Sequence, residues 1–404
     1  MYFCGKINML SKRQLFLQHV AQTSEVPMCL EVEHASGMYI YGSDGKKYLD
    51  FDSGISVSSL GHCYPEVVQA VKNQAETYMH TMVYGEHIQT PQVEYATLLK
   101  DVLNSTLDSI YYVNSGTEAV ETALKLARKA TGRYEIFSCT SAYHGSTIAA
   151  ESLRSDSVYT RNFLPSIPGV RHIHFNNEDD LNKISEKTAC VIMEPVQAEA
   201  GIIVPENHYL QKVRTRCNET GTLLILDEIQ TGFGRTGYMF AHQKYGIIPD
   251  ILLIAKGMGG GMPIGGVVAS RDLMSQFSRN PSLGHITTFG GHPVCVAAAL
   301  ATLKVLIEKP YLAEIKSKEQ LFRSLLKHEM ITDVRASGLM IAVEIKDSSL
   351  LTPLIDMVIG DGVLVDYFLF NPFSFRIAPP LIISEEEIHF GVRTILSAMN
   401  QLCS

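Results

Sequence analysis

The sequence predicts an α/β protein: a large unit with a mostly parallel sheet flanked by helices, plus a smaller α+β unit. Three observations predict it. Short, continuous apolar runs alternate with helical patterns, as expected of parallel strands buried on both faces. That character changes after about Gly291, where a long helical stretch and then a mixed region follow. The chain has 404 residues, of which 46% are hydrophobic and 19% charged. That is ordinary globular material, enough for roughly two or three packed units.

The elements follow in order. Within the first 50 residues, Tyr39-Ile40-Tyr41-Gly42-Ser43-Asp44-Gly45-Lys46-Lys47-Tyr48 reads as a hairpin. Ser109 to Val113 reads as a strand and Gly116 to Ala130 as its helix. Another strand lies around Tyr134 to Ser138. Ala189 to Met193 is a strand, followed by a loop and a helix around Tyr209 to Thr220. Thr222 to Leu226, Ile251 to Ala255 and Gly265 to Ala269 are further strands. Val294 to Glu308 reads as a long helix, Met340 to Ile345 as a strand and Glu385 to Leu402 as a terminal helix. The expected division is an N-terminal segment 1–55 joining the small unit, a large unit 56–293 and a C-terminal small unit 294–404.

Composition excludes several classes. The net charge of −8 argues against nucleic-acid binding, which calls for a basic face. No apolar run reaches the roughly 18 residues of a membrane span. The N-terminus lacks the order of a signal peptide, and Met9 is an alternative start to Met1. Eight cysteines are scattered without a CxxC pair, so neither a metal site nor a disulfide framework is expected. These readings give a reduced, cytoplasmic protein.

Lys256 is the most informative residue. It follows the apolar run Ile251 to Ala255 and precedes Gly257, Gly259, Gly260 and Gly261. That pattern places an amine at the mouth of a sheet, where it can form a Schiff base with an aldehyde. Ser115-Gly116-Thr117-Glu118 fits a helix cap of the S-x-x-E type. Taken alone it is more often a plain cap; the functional reading is a phosphate cradle, because a glycine turn at a helix N-terminus offers free N–H groups. Asp227 and Glu228 end an inner strand, where such sheets bind ligands; a structural ion pair is the alternative. Tyr143 suits core packing or stacking on a planar ligand, and His144 a structural hydrogen bond.

In this order the motifs resemble the class III (ω-) aminotransferases, pyridoxal-phosphate enzymes of fold type I. The resemblance rests on Ser115 to Glu118, Tyr143-His144-Gly145, Glu194 to Glu199, Asp227 to Gly232, Lys256-Gly257 and Thr287 to Pro293. It runs from about Tyr39 to the end and is of the acetylornithine/ornithine-aminotransferase-like kind. It implies that Lys256 holds pyridoxal 5′-phosphate as a Schiff base and moves a proton between Cα and C4′. Asp227 would keep the pyridine nitrogen protonated, making the ring an electron sink. Gln230 would bond the ring's 3′ oxygen, Tyr143 would stack on the ring, with His144 beside it, and Ser115, Gly116 and Thr117 would bind the phosphate. Thr288 would reach the phosphate of a partner subunit, which implies a homodimer with shared active sites.

The same resemblance makes Arg376 the anchor of a substrate carboxylate, a bidentate pairing. Glu199 would cover that arginine when the other substrate is bound. Tyr84 is a candidate gate. The implied reaction moves an amino group from an amino acid or ω-amine to 2-oxoglutarate, ping-pong through pyridoxamine phosphate. An aminomutase or racemase of the same fold is the alternative, and a non-catalytic ligand-binding protein is a third reading. Two positions depart from the pattern. Ser146 stands where these relatives carry a second, carboxylate-binding arginine, and Ile55 where ornithine aminotransferases tend to have tyrosine. The amino donor therefore lacks a distal carboxylate at that point or finds another cation. The aromatic group Tyr367, Phe368, Phe370, Phe373 and Phe375 fits either the entrance or the core.

Overall fold

The computed structural model describes residues 10–403. Met1, Met9 and Cys4 lie outside the described residues. A seven-stranded sheet forms the centre, in the spatial order Ser109–Val113, Gly265–Ala269, Ile251–Ile254, Leu223–Asp227, Thr188–Met193, Glu135–Cys139, Val170–Ile173. Gly265–Ala269 runs antiparallel to both neighbours, and the other pairings are parallel. The strands Thr188–Met193, Ile251–Ile254 and Gly265–Ala269 are buried at every residue, which is why they read as unbroken apolar runs. Val170–Ile173 was not expected. It is an edge strand carrying Arg171 and His172, so it has no apolar signature.

The helix Gly116–Thr131 buries Val120, Ala123, Leu124 and Ala127, one helical face, against this sheet. It ends at Gly132, whose φ of 67° is the left-handed conformation of a helix stop. The helix Pro293–Glu308 is buried almost all round, from Val294 to Leu306. Its alanine-rich sequence thus belongs to a core helix.

Two four-stranded sheets flank this assembly. One is antiparallel: Ile331–Ala336, Ile341–Ile345, Ser374–Ile377 and Asp366–Tyr367. The other contains the expected hairpin, Tyr39–Gly42 against Lys47–Asp50, with Tyr39 opposite Leu49. Val32–Ser36 extends it on one side. Val363–Leu364 pairs in parallel on the other side, with Val363 opposite Leu49. Backbone hydrogen bonds therefore tie the beginning of the described chain to its C-terminal region.

The parallel strands all end at one edge of the central sheet, and the loops that leave there carry the polar residues of the site. Among the described residues, no helix is long and apolar enough to cross a membrane. Among them, no group of three or more His, Cys, Asp or Glu side chains could hold a metal ion. The described cysteines are free thiols, and Cys139, Cys190, Cys217 and Cys295 are buried.

Candidate active site

Loops from the carboxyl edge enclose a cavity of about 550 Å³. Ser115, Gly116, Thr117, Tyr143, His144, Asp227, Gln230 and Lys256 all line it. The sequence separates these residues by up to 141 positions, and the strand order brings them together. Arg376 and Glu199 sit behind this wall, linked to it through Gln230. Tyr84 and Thr288 do not line the cavity. Tyr84 is half-buried and Thr288 exposed, its carbonyl accepting from His80 Nε2 at 2.9 Å.

One end of the cavity is the start of the helix Gly116–Thr131. Ser115 is the N-cap, and its Oγ accepts from Glu118 N at 3.3 Å. The reciprocal half of the box is different from the expected form. Glu118 Oε2 reaches one residue further back and accepts from Asn114 N and Asn114 Nδ2, both at 2.8 Å. The first N–H groups of the helix, at Gly116 and Thr117, have no intrahelical acceptor and carry the positive end of the helix dipole. Glycine is required next to this turn. A Cβ at Gly265 would stand 2.5 Å from the Ser115 carbonyl oxygen.

The Asp227-Glu228 pair divides between two tasks. Asp227 lines the cavity. Its Oδ2 lies 2.7 Å from His144 Nδ1, and its Oδ1 accepts from Ile229 N at 3.0 Å. Each oxygen keeps a further lone pair for a ligand. Glu228 faces away and is fully buried. It accepts from Thr231 Oγ1 at 3.0 Å, His242 N at 2.7 Å and His242 Nδ1 at 2.8 Å. The structural alternative read from the sequence thus holds for Glu228, while Asp227 faces the cavity. Burial alone would lower the His144 pKa, but the hydrogen bond and charge of Asp227 outweigh it and raise it.

Lys256 begins a short 3₁₀ turn and has φ 47°, a left-handed conformation that β-carbon-bearing residues rarely adopt. Burial pushes its amine down to about 8; Arg376 pushes the same way, while Glu199, Asp227 and Glu194 oppose it. A free amine is thus available near neutral pH, as a nucleophile toward a carbonyl or a proton carrier requires.

Arg376 is 1% exposed and its Nη2 donates to Glu199 Oε1 at 2.6 Å. Glu199 also accepts from Gln230 Nε2 at 3.3 Å and Leu369 N at 3.2 Å. Gln230, expected at a ligand oxygen, therefore also holds Glu199. Arg376 Nη1 and Nε are buried without a partner. The guanidinium lies over the Phe368 ring, 4.7 Å from its centre. The aromatic group splits accordingly. Phe368 and Phe375 are buried, whereas Tyr367 and Phe373 are exposed.

Sequence reasoning missed Glu194 as a site residue. It lines the cavity, immediately after the buried strand Thr188–Met193, as Lys256 follows its own strand closely. Burial raises its carboxyl to about 7, with His144 opposing and Asp227 reinforcing the shift. Its position at a strand end was the available signal. Asn114 and Thr231 also line the cavity. Ile55 is exposed, with φ 59°, and Ser146 is exposed on the cavity wall.

Comparison with known proteins agrees with this arrangement. The family profile described as "Aminotransferase class-III" matches residues 20–399. Acetylornithine aminotransferase of Methanosarcina mazei is 39% identical over 364 residues, covering 89% of each chain. That of Bacillus cereus is 37% identical over 372 residues, covering 91% of this chain and 94% of the relative. Among solved structures, the ornithine aminotransferase of Toxoplasma gondii superposes with a TM-score of 0.89 at 29% identity, covering 98% and 96% of the two chains. An omega-transaminase of Thermomicrobium roseum gives 0.88 at 27% identity, covering 98% and 100%.

Proposed function

The chain belongs to the class-III aminotransferase family, and on that premise we propose how its residues divide the work of a pyridoxal 5′-phosphate-dependent transaminase. The alternative of an aminomutase or racemase is not favoured, since the named relatives are aminotransferases. The observation that carries the assignment of residues is the single cavity shared by Lys256, Asp227 and the Ser115 turn.

The residues present fit the cofactor. Unpaired N–H groups at the helix start suit a phosphate, and the Ser115 hydroxyl lies beside them. Tyr143 offers a ring face, and Asp227 a carboxylate within the same cavity. Bound there, pyridoxal phosphate supplies an electron sink that lets a substrate carbon lose its proton. Lys256 would hold the cofactor and, once its amine is free, would take and return the proton of a substrate carbon. Asp227 would hold a proton on the ring nitrogen, its carboxylate fixed by His144. Gln230 serves both the ring oxygen and Glu199.

Arg376 binds the carboxylate of glutamate or 2-oxoglutarate when Glu199 moves aside. When Glu199 stays in place, the buried arginine is covered and the site accepts the end of an amine without that carboxylate. One site thereby serves two unlike substrates in turn. Tyr84, which does not line the cavity, would act as a gate from outside it. The exposed Thr288 reaches the phosphate of a partner subunit, so the protein works as a homodimer with shared sites, and it works in the cytoplasm. The segments 1–55, 56–293 and 294–404 act as small-unit, cofactor-binding and small-unit parts.

The test is the first half-reaction. Glutamate added to cofactor-loaded protein should release one 2-oxoglutarate per site and remove the visible band of the lysine-bound cofactor. Absence of both changes would refute the reading. Sedimentation of the same sample should give a dimer.

A further inference from the structure

Eight residues after Ser146, Arg154 folds back onto the same cavity wall. Its guanidinium carbon lies over the Tyr143 ring, 4.6 Å from its centre. Nη2 donates to Ser146 Oγ at 3.1 Å and to Gly145 O at 3.4 Å. Nη1 lies 3.3 Å and 3.2 Å from the two carboxylate oxygens of Glu151. The Arg154 side chain is only 8% exposed and that of Glu151 10%, so this is an enclosed pair rather than a surface one. Nε is buried without a partner.

Ser146 is the outward end of this chain of contacts. It lines the cavity and is solvent-exposed. Its Oγ accepts from Arg154 and lies 3.3 Å from the Tyr143 hydroxyl. A hydroxyl has one hydrogen to donate and two lone pairs. Arg154 donates to one of those lone pairs, and when the Tyr143 hydroxyl donates to the other, the hydrogen of Ser146 is left for the cavity. The positive charge behind it is countered by Glu151 at contact distance. A carboxylate brought to Ser146 would meet one neutral donor and a compensated ion pair, too little to offset its lost hydration. A neutral oxygen loses far less hydration and matches a single donor.

Resting on the aminotransferase reading, we propose that this wall takes a neutral oxygen at the far end of the amino donor: an amide, acyl or hydroxyl oxygen. Ser146 is its donor. Arg154 is the positioning residue that orients Ser146 and the Tyr143 ring, and Glu151 removes the charge that would otherwise select carboxylates.

The test uses pentanamide and pentanoate, which lack an amine and cannot react, titrated calorimetrically into cofactor-loaded protein. Ser146→Ala should weaken pentanamide about fivefold and leave pentanoate within about twofold, the range of one neutral hydrogen bond. Arg154→Met should reproduce that loss. Glu151→Gln keeps the shape but leaves the Arg154 charge uncompensated. It should shift the pentanoate-to-pentanamide affinity ratio about tenfold toward pentanoate. Pentanoate bound at Arg376 is a separate site unchanged by Glu151→Gln, and a two-site fit takes it out before the ratio is formed. An unchanged ratio in Glu151→Gln, or unchanged pentanamide affinity in Ser146→Ala, overturns the proposal, even if Arg154→Met fails to fold. Neither ligand turns over, so a failure of the transaminase reading shows separately, in the glutamate half-reaction.

Discussion

Arg376 donates one hydrogen bond to Glu199 at 2.6 Å and keeps Nη1 and Nε buried with no partner at all. A guanidinium held this way has its charge balanced and still has donors to offer. Glu199 is in turn held by Gln230 and by Leu369 N, so it has a defined place to rest. On the proposed reading, the pair is a cover over an anion site.

Removing the charge of the cover should bias the enzyme toward one substrate. In Glu199→Gln, Arg376 remains available to carboxylates in both half-reactions. The kcat/KM for ω-amine donors should fall by a factor of about 10–100, while that for glutamate is kept or improved, as expected for an uncompensated buried charge. Measuring both half-reactions separately checks it. Equal losses in the two would remove Glu199 from this role.

Lys256→Ala should bind cofactor without its visible lysine-bound band. Turnover should drop by at least about 10³-fold, the scale of a lost general base together with a lost covalent anchor. Absorbance spectra and single-turnover rates measure the two effects independently. Normal turnover in this variant would end the assignment.

The depressed pKa of Lys256 predicts a pH profile for cofactor-free protein. Only the free amine reacts, and it titrates near about 8 rather than at the ordinary lysine value of 10.5. Reconstitution with pyridoxal phosphate should therefore accelerate about tenfold between pH 7 and pH 9 and then level off. An ordinary lysine would give about a hundredfold rise with no plateau. Rates of absorbance recovery at a series of pH values distinguish them.

Glu194 should make the cofactor-free protein less stable as pH rises. The carboxyl titrates near 4.5 unfolded and is raised to about 7 when folded, mainly by burial. Between those values the folded protein holds the extra proton, so stability falls across that window and the penalty is complete above it. Glu194→Gln should remove up to about 3 kcal/mol of that penalty at pH 8 and none near pH 4. Denaturant unfolding of both proteins at the two pH values checks the sign. A variant no more stable at pH 8 than at pH 4, relative to wild type, would count against it.

Much of the fold was legible because the buried strands are continuous apolar runs. Ser109–Val113 and Gly265–Ala269 were read with their observed ends. Thr222 to Leu226 was read one residue early, because threonine looks like a strand residue and Asp227 does not. The edge strand Val170–Ile173 and the two-residue strands at 363–364 and 366–367 had no signal of their own, since pairing partners distant in sequence make them strands. Most residues tied to motif spacing lie together on the cavity wall, though Thr288 does not. Glu194 was quoted within a motif but given no task, and Arg154 was missed entirely. Its role comes from a fold-back onto Ser146 that no local pattern encodes.

The left-handed backbone at Lys256 sets the chemistry of the protein against its folding. A side chain at φ 47° is held at a strain of order 1 kcal/mol that glycine would not feel. Glycine already occupies the next position, at Gly257. A chain selected for stability alone would extend the glycine run backward by one residue and lose its amine. Lys256→Gly should accordingly melt higher than wild type without cofactor. Lysine at this position thus sets an amine where the backbone alone would favour glycine.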